Sequence, residues 1–390
     1  MRVLIVTEYM TNVGGVQTYL QSLIQPLRSI VGELAVAANQ IPSDLTNHSD
    51  RNLDKAGIEY WRADDKERAK QWKPDVVFYH GLRDPLLERW YAERFPTVLY
   101  AHNYHGTCIS GTKCHANLGF RSCDRVLGPA CLLAFVPFGC GGMNPKFILE
   151  SYIAQRQRQS NLKLMRFVLV ASSHMHAEFL RHGVDATRTV LAPLFPTGEY
   201  SLTSAPEPTS FRNKILVVSR LTPIKGVLLL PEATLRASER LNRKLTLVVA
   251  GDGPSDNPLK ESAARWKIDI ELLGWVDVAT RSRLMQEADL LIAPSIWPEP
   301  FGLVGIEAGR LGLPSVGFRK GGMTDWLLPG SSGEFASGSQ STAVALADGI
   351  VKALHNASHW NNLRQGAWQV SQRFTLESHL SNLADVFSRV

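Results

Sequence analysis

Two carboxylates, Glu299 and Glu307, stand on either side of the seven residues Pro300-Phe301-Gly302-Leu303-Val304-Gly305-Ile306. Upstream, Arg220 and Lys225 flank Leu221-Thr222-Pro223-Ile224, and Gly226 follows. Carboxylates accept hydrogen bonds from hydroxyls, so one of the pair suits a sugar and the other a ribose. Two cations at a strand end next to a helix N-terminus form an anion site, because the helix adds its own unpaired N–H groups. His102 closes the run Thr97-Val98-Leu99-Tyr100-Ala101, and an imidazole suits a hydroxyl contact near neutral pH. His80 and His105 are candidates on the same ground. Each group also has a plain reading: a capping and a surface glutamate, ordinary surface charge, and satisfied polar residues at strand ends.

These groups need a scaffold that brings strand ends together. An apolar run over 289–294 reads as a buried strand, and Leu303, Ile306, Leu311 and Leu313 recur near a helical period. Glu299 therefore belongs to a loop at the carboxyl end of a strand, and Glu307 lies about one turn into the next helix, near its positive end. Open parallel sheets bind ligands at that place. The same alternation runs through the chain. Strands are expected over 2–7, 34–38, 57–61, 76–80, 96–101, 167–171 and 190–193, then 214–219, 245–251, 270–274, 290–293 and 314–318, with helical patterns between them. This implies a parallel α/β fold in two halves. The stretch 197–213, rich in Thr, Ser, Pro and Glu, separates them. Gly14 and Gly15 lie between the first strand and a helix, where free N–H groups suit a phosphate or a hydroxyl and where a tight turn is the plain alternative. A second pair, Gly321-Gly322, follows the last strand and would bring backbone N–H groups to the same ligand.

Length and composition exclude several classes. At 390 residues, 44% hydrophobic and 20% charged, the chain is globular and long enough for two cores. Its formal charge of +6 suits an anionic small molecule or an anionic membrane surface, and no nucleic-acid motif accompanies it. No run reaches the length of a membrane span, and the first residues read as a strand rather than a signal peptide. The expected location is the cytoplasm or the inner face of a membrane. Between 141 and 190 seven basic residues face three acidic ones, which reads either as a solvated face or as contact with anionic lipid.

All five cysteines, Cys108, Cys114, Cys123, Cys131 and Cys140, fall in a glycine-rich stretch over 106–142 that also contains His115. Two readings stand. The thiols are reduced and inert, or three or four of them hold a structural zinc or iron that orders a long loop. The tight cysteine pairs of zinc ribbons are missing. Because the stretch follows His102, it is a candidate acceptor-binding insertion.

The spacing from Glu299 to Glu307 with Pro-Phe-Gly inside resembles the donor-binding motif of the retaining family-4 glycosyltransferases. Ser219-Arg220-Leu221 with Lys225-Gly226 resembles their diphosphate clamp, Gly14-Gly15 their first loop, and His102 the strand-end histidine that contacts the transferred sugar. The resemblance is specific over 214–326 and generic before it. It implies two Rossmann-like domains facing across a cleft, the GT-B architecture: residues 1–196 on the acceptor side, a linker over 197–213, a nucleotide-sugar domain over 214–370, and a final helix over 371–390 returning to the first domain. It further implies transfer of a hexose-type sugar from a nucleotide-diphosphate sugar, a UDP-sugar being favoured, to a glycan, lipid-linked or small-molecule acceptor in cell-surface polysaccharide or glycolipid synthesis. In that reading Arg220 and Lys225 neutralise the leaving diphosphate. Glu307 holds the ribose, and Glu299 holds the sugar with the backbone of Phe301, Gly302, Leu303 and Val304. No Asp-x-Asp motif is present to carry Mg²⁺, so catalysis needs no metal. A sugar-nucleotide epimerase of the same fold and a non-catalytic scaffold are the alternatives.

Overall fold

The computed structural model describes residues 1–10, 14–41, 57–197, 202–338 and 340–390. Thr11, Asn12 and Val13 of the first glycine loop, and 198–201 of the expected linker, lie outside the described residues.

The chain is α/β and divides into two compact units, one made of Met1–Lys113, Asp124–Thr197 and Leu376–Val390, the other of Cys114–Cys123 and Gly198–Thr375. The first unit begins with strands β1 (Arg2–Tyr9), β2 (Glu33–Gln40), β3 (Glu59–Trp61), β4 (Val76–Tyr79) and β5 (Thr97–Ala101). A short antiparallel ribbon, β6 (Cys114–His115) with β7 (Arg121–Ser122), belongs to the cysteine-rich insertion. Strands β8 (Phe167–Val170) and β9 (Thr189–Leu191) complete a parallel sheet in the order β3-β2-β1-β4-β5-β8-β9. The second unit contributes β10 (Lys214–Val218), β11 (Thr246–Ala250), β12 (Ile270–Leu272), β13 (Leu290–Ala293), β14 (Ser315–Gly317) and β15 (Gly333–Phe335), in the order β12-β11-β10-β13-β14-β15.

Both sheets are parallel, so helices cover both faces and the central strands read as continuous apolar runs. Every residue of β4 and β13 is buried. In each sheet the strand order reverses once, between β1 and β4 and between β10 and β13, which opens a crevice at the carboxyl ends. Helix starts carry the expected chemistry: Asp84 caps Pro85–Arg94, Asn144 caps Pro145–Asn161, and Thr342 caps Ala343–Leu354. The polar stretch after the insertion forms the helix Pro145–Asn161, its start fixed by Asn144 and Pro145.

The final helix, Leu376–Ser388, packs within the first unit. His379, Leu383, Val386 and Phe387 are buried, with Phe387 edge-on to Phe78 of β4 at 5.3 Å. Its anchor is polar: Tyr19 Oη and His379 Nε2 lie 2.7 Å apart, and His379 Nδ1 donates to the Pro193 carbonyl at 2.8 Å.

The insertion departs from expectation in how it is ordered and in where it belongs. None of the five cysteines is disulfide-bonded, and among the described residues no three His, Cys, Asp or Glu side chains gather in a way that could hold a metal. Along the chain the thiols lie six to nine positions apart, so a shared zinc or iron requires the fold to bring them back together. Other contacts order the stretch. Lys113 Nζ lies 2.5 Å from Glu178 Oε1, both side chains only 2% exposed, and donates to the Arg125 carbonyl at 2.7 Å. Leu127 N–H donates to His182 Nε2 at 3.0 Å. Ile109, Leu127, Phe135 and Ile148 form a small core, with Cys131 and Cys140 half-buried against it. Residues Cys114–Cys123, the ribbon included, group with the second unit rather than the first. Phe120 packs against that unit's main core, and its carbonyl accepts from Lys320 Nζ at 2.8 Å.

Candidate active site

The carboxyl edge of the second sheet is built from loops held backbone to backbone. Leu221 N–H donates to the Asp252 carbonyl at 2.6 Å, joining the loops after β10 and β11. Ile296 N–H donates to the Ile224 carbonyl at 3.0 Å, joining those after β10 and β13. Gly322 N–H donates to the Glu299 carbonyl at 2.6 Å, joining those after β13 and β14. Two glycines make this approach possible. Gly226 has φ +68°, and a Cβ there would sit 2.0 Å from the Pro294 carbonyl oxygen. Gly321 has φ +60°, and a Cβ there would sit 2.2 Å from the Glu299 carbonyl oxygen.

This stitching places Lys225 against Glu299. Their ammonium and carboxylate form an ion pair, and Ser295 Oγ donates to the same carboxylate oxygen. Burial alone would push the Glu299 carboxyl up, but the Lys225 charge and the hydrogen bonds from Lys225 and Ser295 outweigh it and hold the group below the usual carboxylate range. Glu299 is therefore an ionised acceptor. Arg220, in the turn after β10, is exposed. Glu307 is buried as the fifth residue of the helix Leu303–Arg310, about one turn in, and Arg281 Nη2 lies 3.3 Å from its Oε1.

Other residues of the motif serve packing. Phe301 is buried, edge-on to Phe374 at 5.5 Å, and its carbonyl accepts from Trp326 Nε1 at 2.7 Å. Gly302 caps the helix at φ +85°, and a Cβ on Gly305 would meet the Trp326 ring at 2.1 Å. Val304 packs on the core beneath the sheet, and Leu303 is half-buried. Of the pair Gly321-Gly322, read as N–H donors toward a ligand, the Gly322 N–H is committed to the Glu299 carbonyl.

Gly14, Gly15 and His102 belong to the first unit, and Arg220, Lys225, Glu299 and Glu307 to the second. Gly14 is in extended backbone and Gly15 begins the helix Gly15–Ile30 with open space where a Cβ would stand, so neither position demands glycine in this geometry. His102 faces His80, their Nε2 and Nδ1 2.9 Å apart, beside Tyr19 and Tyr100. His80 Nε2 has no partner among the described residues, and a cavity of about 30 Å³ borders His80, His102 and Arg158, enough for a water or a hydroxyl. Burial, and then the neighbouring His379, pushes His102 down to about 3, while burial takes His379 to about 4. These imidazoles are neutral at pH 7 and offer hydrogen bonds rather than charge.

The histidine cluster makes stability depend on pH. In the unfolded chain the same imidazoles titrate near about 6.5. Between that value and the folded values of about 3 and about 4 the unfolded chain binds more protons, so stability falls as pH falls through the window. His379→Gln removes one of the titrating groups and keeps a hydrogen-bonding side chain. Urea midpoints measured from about pH 7 down to about pH 5 are expected to fall less steeply in this variant than in the parent. An unchanged slope would assign the acid sensitivity elsewhere.

Sequence reasoning missed Ser295 and Arg281. Ser295 follows β13 directly and was readable as a strand-end hydroxyl, whereas nothing local marks Arg281, which lies one strand–helix unit before Glu307.

Residues 205–370, which include Arg220, Lys225, Glu299 and Glu307, match the family model described as glycosyl transferases group 1. A D-inositol 3-phosphate glycosyltransferase of Catenulispora acidiphila is 32% identical over 189 residues, 45% of this chain and 43% of that protein. A phosphatidyl-myo-inositol mannosyltransferase of Mycobacterium tuberculosis is 31% identical over 136 residues, 34% of this chain and 35% of that protein. The chain thus spans less than half the length of these curated relatives. Over the whole chain the fold is that of GT-B glycosyltransferases. Anabaena HepE, solved with UDP-glucose, superposes with a TM-score of 0.68 at 18% identity over 100% of both chains. WaaG, a glycosyltransferase involved in lipopolysaccharide biosynthesis, gives 0.70 at 16% identity over 99% of both.

Proposed function

We propose that this protein is a retaining glycosyltransferase that moves a hexose-type sugar from a nucleotide-diphosphate sugar, a UDP-sugar, to a hydroxyl of a glycan, lipid-linked or small-molecule acceptor. The observation that carries the reading is the Lys225–Glu299 pair at the carboxyl ends of β10 and β13, with Arg220 exposed beside the turn and Glu307 buried in the next helix. That HepE holds UDP-glucose on the same fold supports the choice of donor, and relatives named as glycosyltransferases favour transfer over epimerisation.

In this reading the sugar C1–O bond to the diphosphate breaks while a C1–O bond to the acceptor forms on the same face. The acceptor's proton passes to the leaving phosphate oxygen. Arg220 and Lys225 are fixed cations where negative charge grows, which is where preorganised charge lowers a barrier. Those cations take the part a divalent metal would otherwise play, so the chemical step needs none. Before donor binds, Glu299 holds the Lys225 ammonium, and Arg281 holds Glu307 in the same way. The diphosphate and the ribose hydroxyls then compete for these partners. His102 contacts the transferred sugar and the insertion over 106–142 serves the acceptor side, in the cytoplasm or at the inner membrane face.

Calorimetry with UDP alone separates the two carboxylates. Glu307→Gln is expected to weaken UDP binding at least about tenfold, the size of a lost charge-assisted hydrogen bond. Glu299→Gln should leave UDP affinity within about threefold of the parent and weaken the intact UDP-sugar instead. Equal weakening of UDP in both variants would refute the division of roles.

A further inference from the structure

The helix Pro145–Asn161 has apolar residues on two sides. Ile148 enters the small core of the insertion with Phe135, and Arg158 and Asn161 are buried against the neighbouring helix Pro85–Arg94, where both bond to Glu88. The opposite face, reading Lys146, Leu149, Ile153, Arg156 and Ser160 at helical spacing, contains only exposed residues. Beside it the helix Ala130–Phe135 packs through Phe135 and leaves Leu133 82% exposed, while Met143 between the two helices is 77% exposed and Phe147 is exposed too. Isolated exposed leucines are ordinary; a group of large apolar side chains on two packed helices is an interaction surface.

Charge indicates what covers it. From 124 to 166 five exposed residues are basic, Arg125, Lys146, Arg156, Lys163 and Arg166, against two exposed acidic ones, Asp124 and Glu150. The outer face also runs into a cavity. Past Ile153, Arg156 and Ser160 line a pocket of about 430 Å³ together with Gln159, Lys163, His182 and Arg188. No carboxylate lines it among the described residues. Apolar side chains beside a cluster of cations match a bilayer surface, where acyl chains lie next to phosphates. A protein partner of matching charge would need an acidic rim and an apolar centre, whereas here the apolar and basic halves follow one another along one helix.

We infer that the outer face of Pro145–Asn161, with Leu133 and Met143, lies on an anionic lipid surface and that the pocket of Arg156, Lys163 and Arg188 takes the phosphate of a lipid headgroup. The inference goes beyond the transferase reading and does not need it, since lipid binding and UDP binding are measured separately.

Sedimentation of the whole chain with vesicles tests it. Vesicles of phosphatidylcholine with phosphatidylglycerol are expected to carry the protein down, and phosphatidylcholine alone is not. Arg156→Gln with Lys163→Gln should weaken binding to the anionic vesicles roughly thirtyfold, from about fivefold for each basic residue at the surface. Leu149→Ser with Ile153→Ser should bind at low salt and release at high salt, where screening leaves only the apolar contact. Circular dichroism and UDP calorimetry on the same samples show that each variant is folded. Failure of the parent to bind anionic vesicles, or parent-like binding by both double variants, overturns the inference. So does a soluble-anion site, seen as stabilisation by inorganic phosphate without vesicle binding.

Discussion

Arg220→Ala lowers kcat by about 10²- to 10³-fold while leaving the melting temperature where it was. The figure is the one typical of removing a preorganised group that meets charge only in the transition state, about 2.7–4 kcal/mol. The stability expectation follows from position: Arg220 is exposed in the turn after β10, so its loss uncovers no buried partner. Lys225→Ala is a different experiment. It removes the other cation but also strips a buried carboxylate of its ion pair, and Glu299 then keeps Ser295 and a raised tendency to protonate. A loss of both activity and stability in Lys225→Ala, against a loss of activity alone in Arg220→Ala, is the expected pattern. The residual turnover of each variant and the full turnover of the parent should persist in EDTA. Wild-type turnover in Arg220→Ala would remove the diphosphate clamp from the account, and a parent rate restored only by Mg²⁺ or Mn²⁺ would remove its metal independence.

The second large effect is expected in the insertion. Lys113→Met breaks an ion pair whose two side chains are each 2% exposed. Removing one partner of a buried pair costs about 3–5 kcal/mol, because the other is left charged in a poorly solvating place. Arg181 also bonds to Glu178, which puts the expectation at the lower end. Lys113 in addition holds the Arg125 carbonyl, so the disturbance is local to the insertion. Trypsin should therefore cut at Arg121 and Arg125 faster in Lys113→Met than in the parent. Adding Glu178→Leu removes the stranded carboxylate and is expected to restore part of the loss. A chelator should leave the parent's cleavage rate unchanged. A chelator that speeds cleavage as much as Lys113→Met does would return the insertion to a metal.

Sequence by itself determined the strand-to-helix junctions of the second unit and which residues stand at them. Glu299, Glu307, Arg220 and Lys225 sit at strand-to-helix junctions, and such junctions are written locally: a short apolar run, a turn with glycine or proline, then a helical period. Once the sheet is parallel, each junction lands on the same edge, so residues 74 apart such as Lys225 and Glu299 meet without any further instruction. What only the tertiary structure decided are the contacts that no period encodes. Arg281 on Glu307, Lys113 beneath the insertion, and His379 brought from the end of the chain to Tyr19 each join elements through single side chains. The cysteines show the same limit from the other side. Their clustering along the chain suggests a common ligand, but five thiols in a loop converge only when the backbone folds back on itself. Here that backbone is held by a buried lysine and a small apolar core.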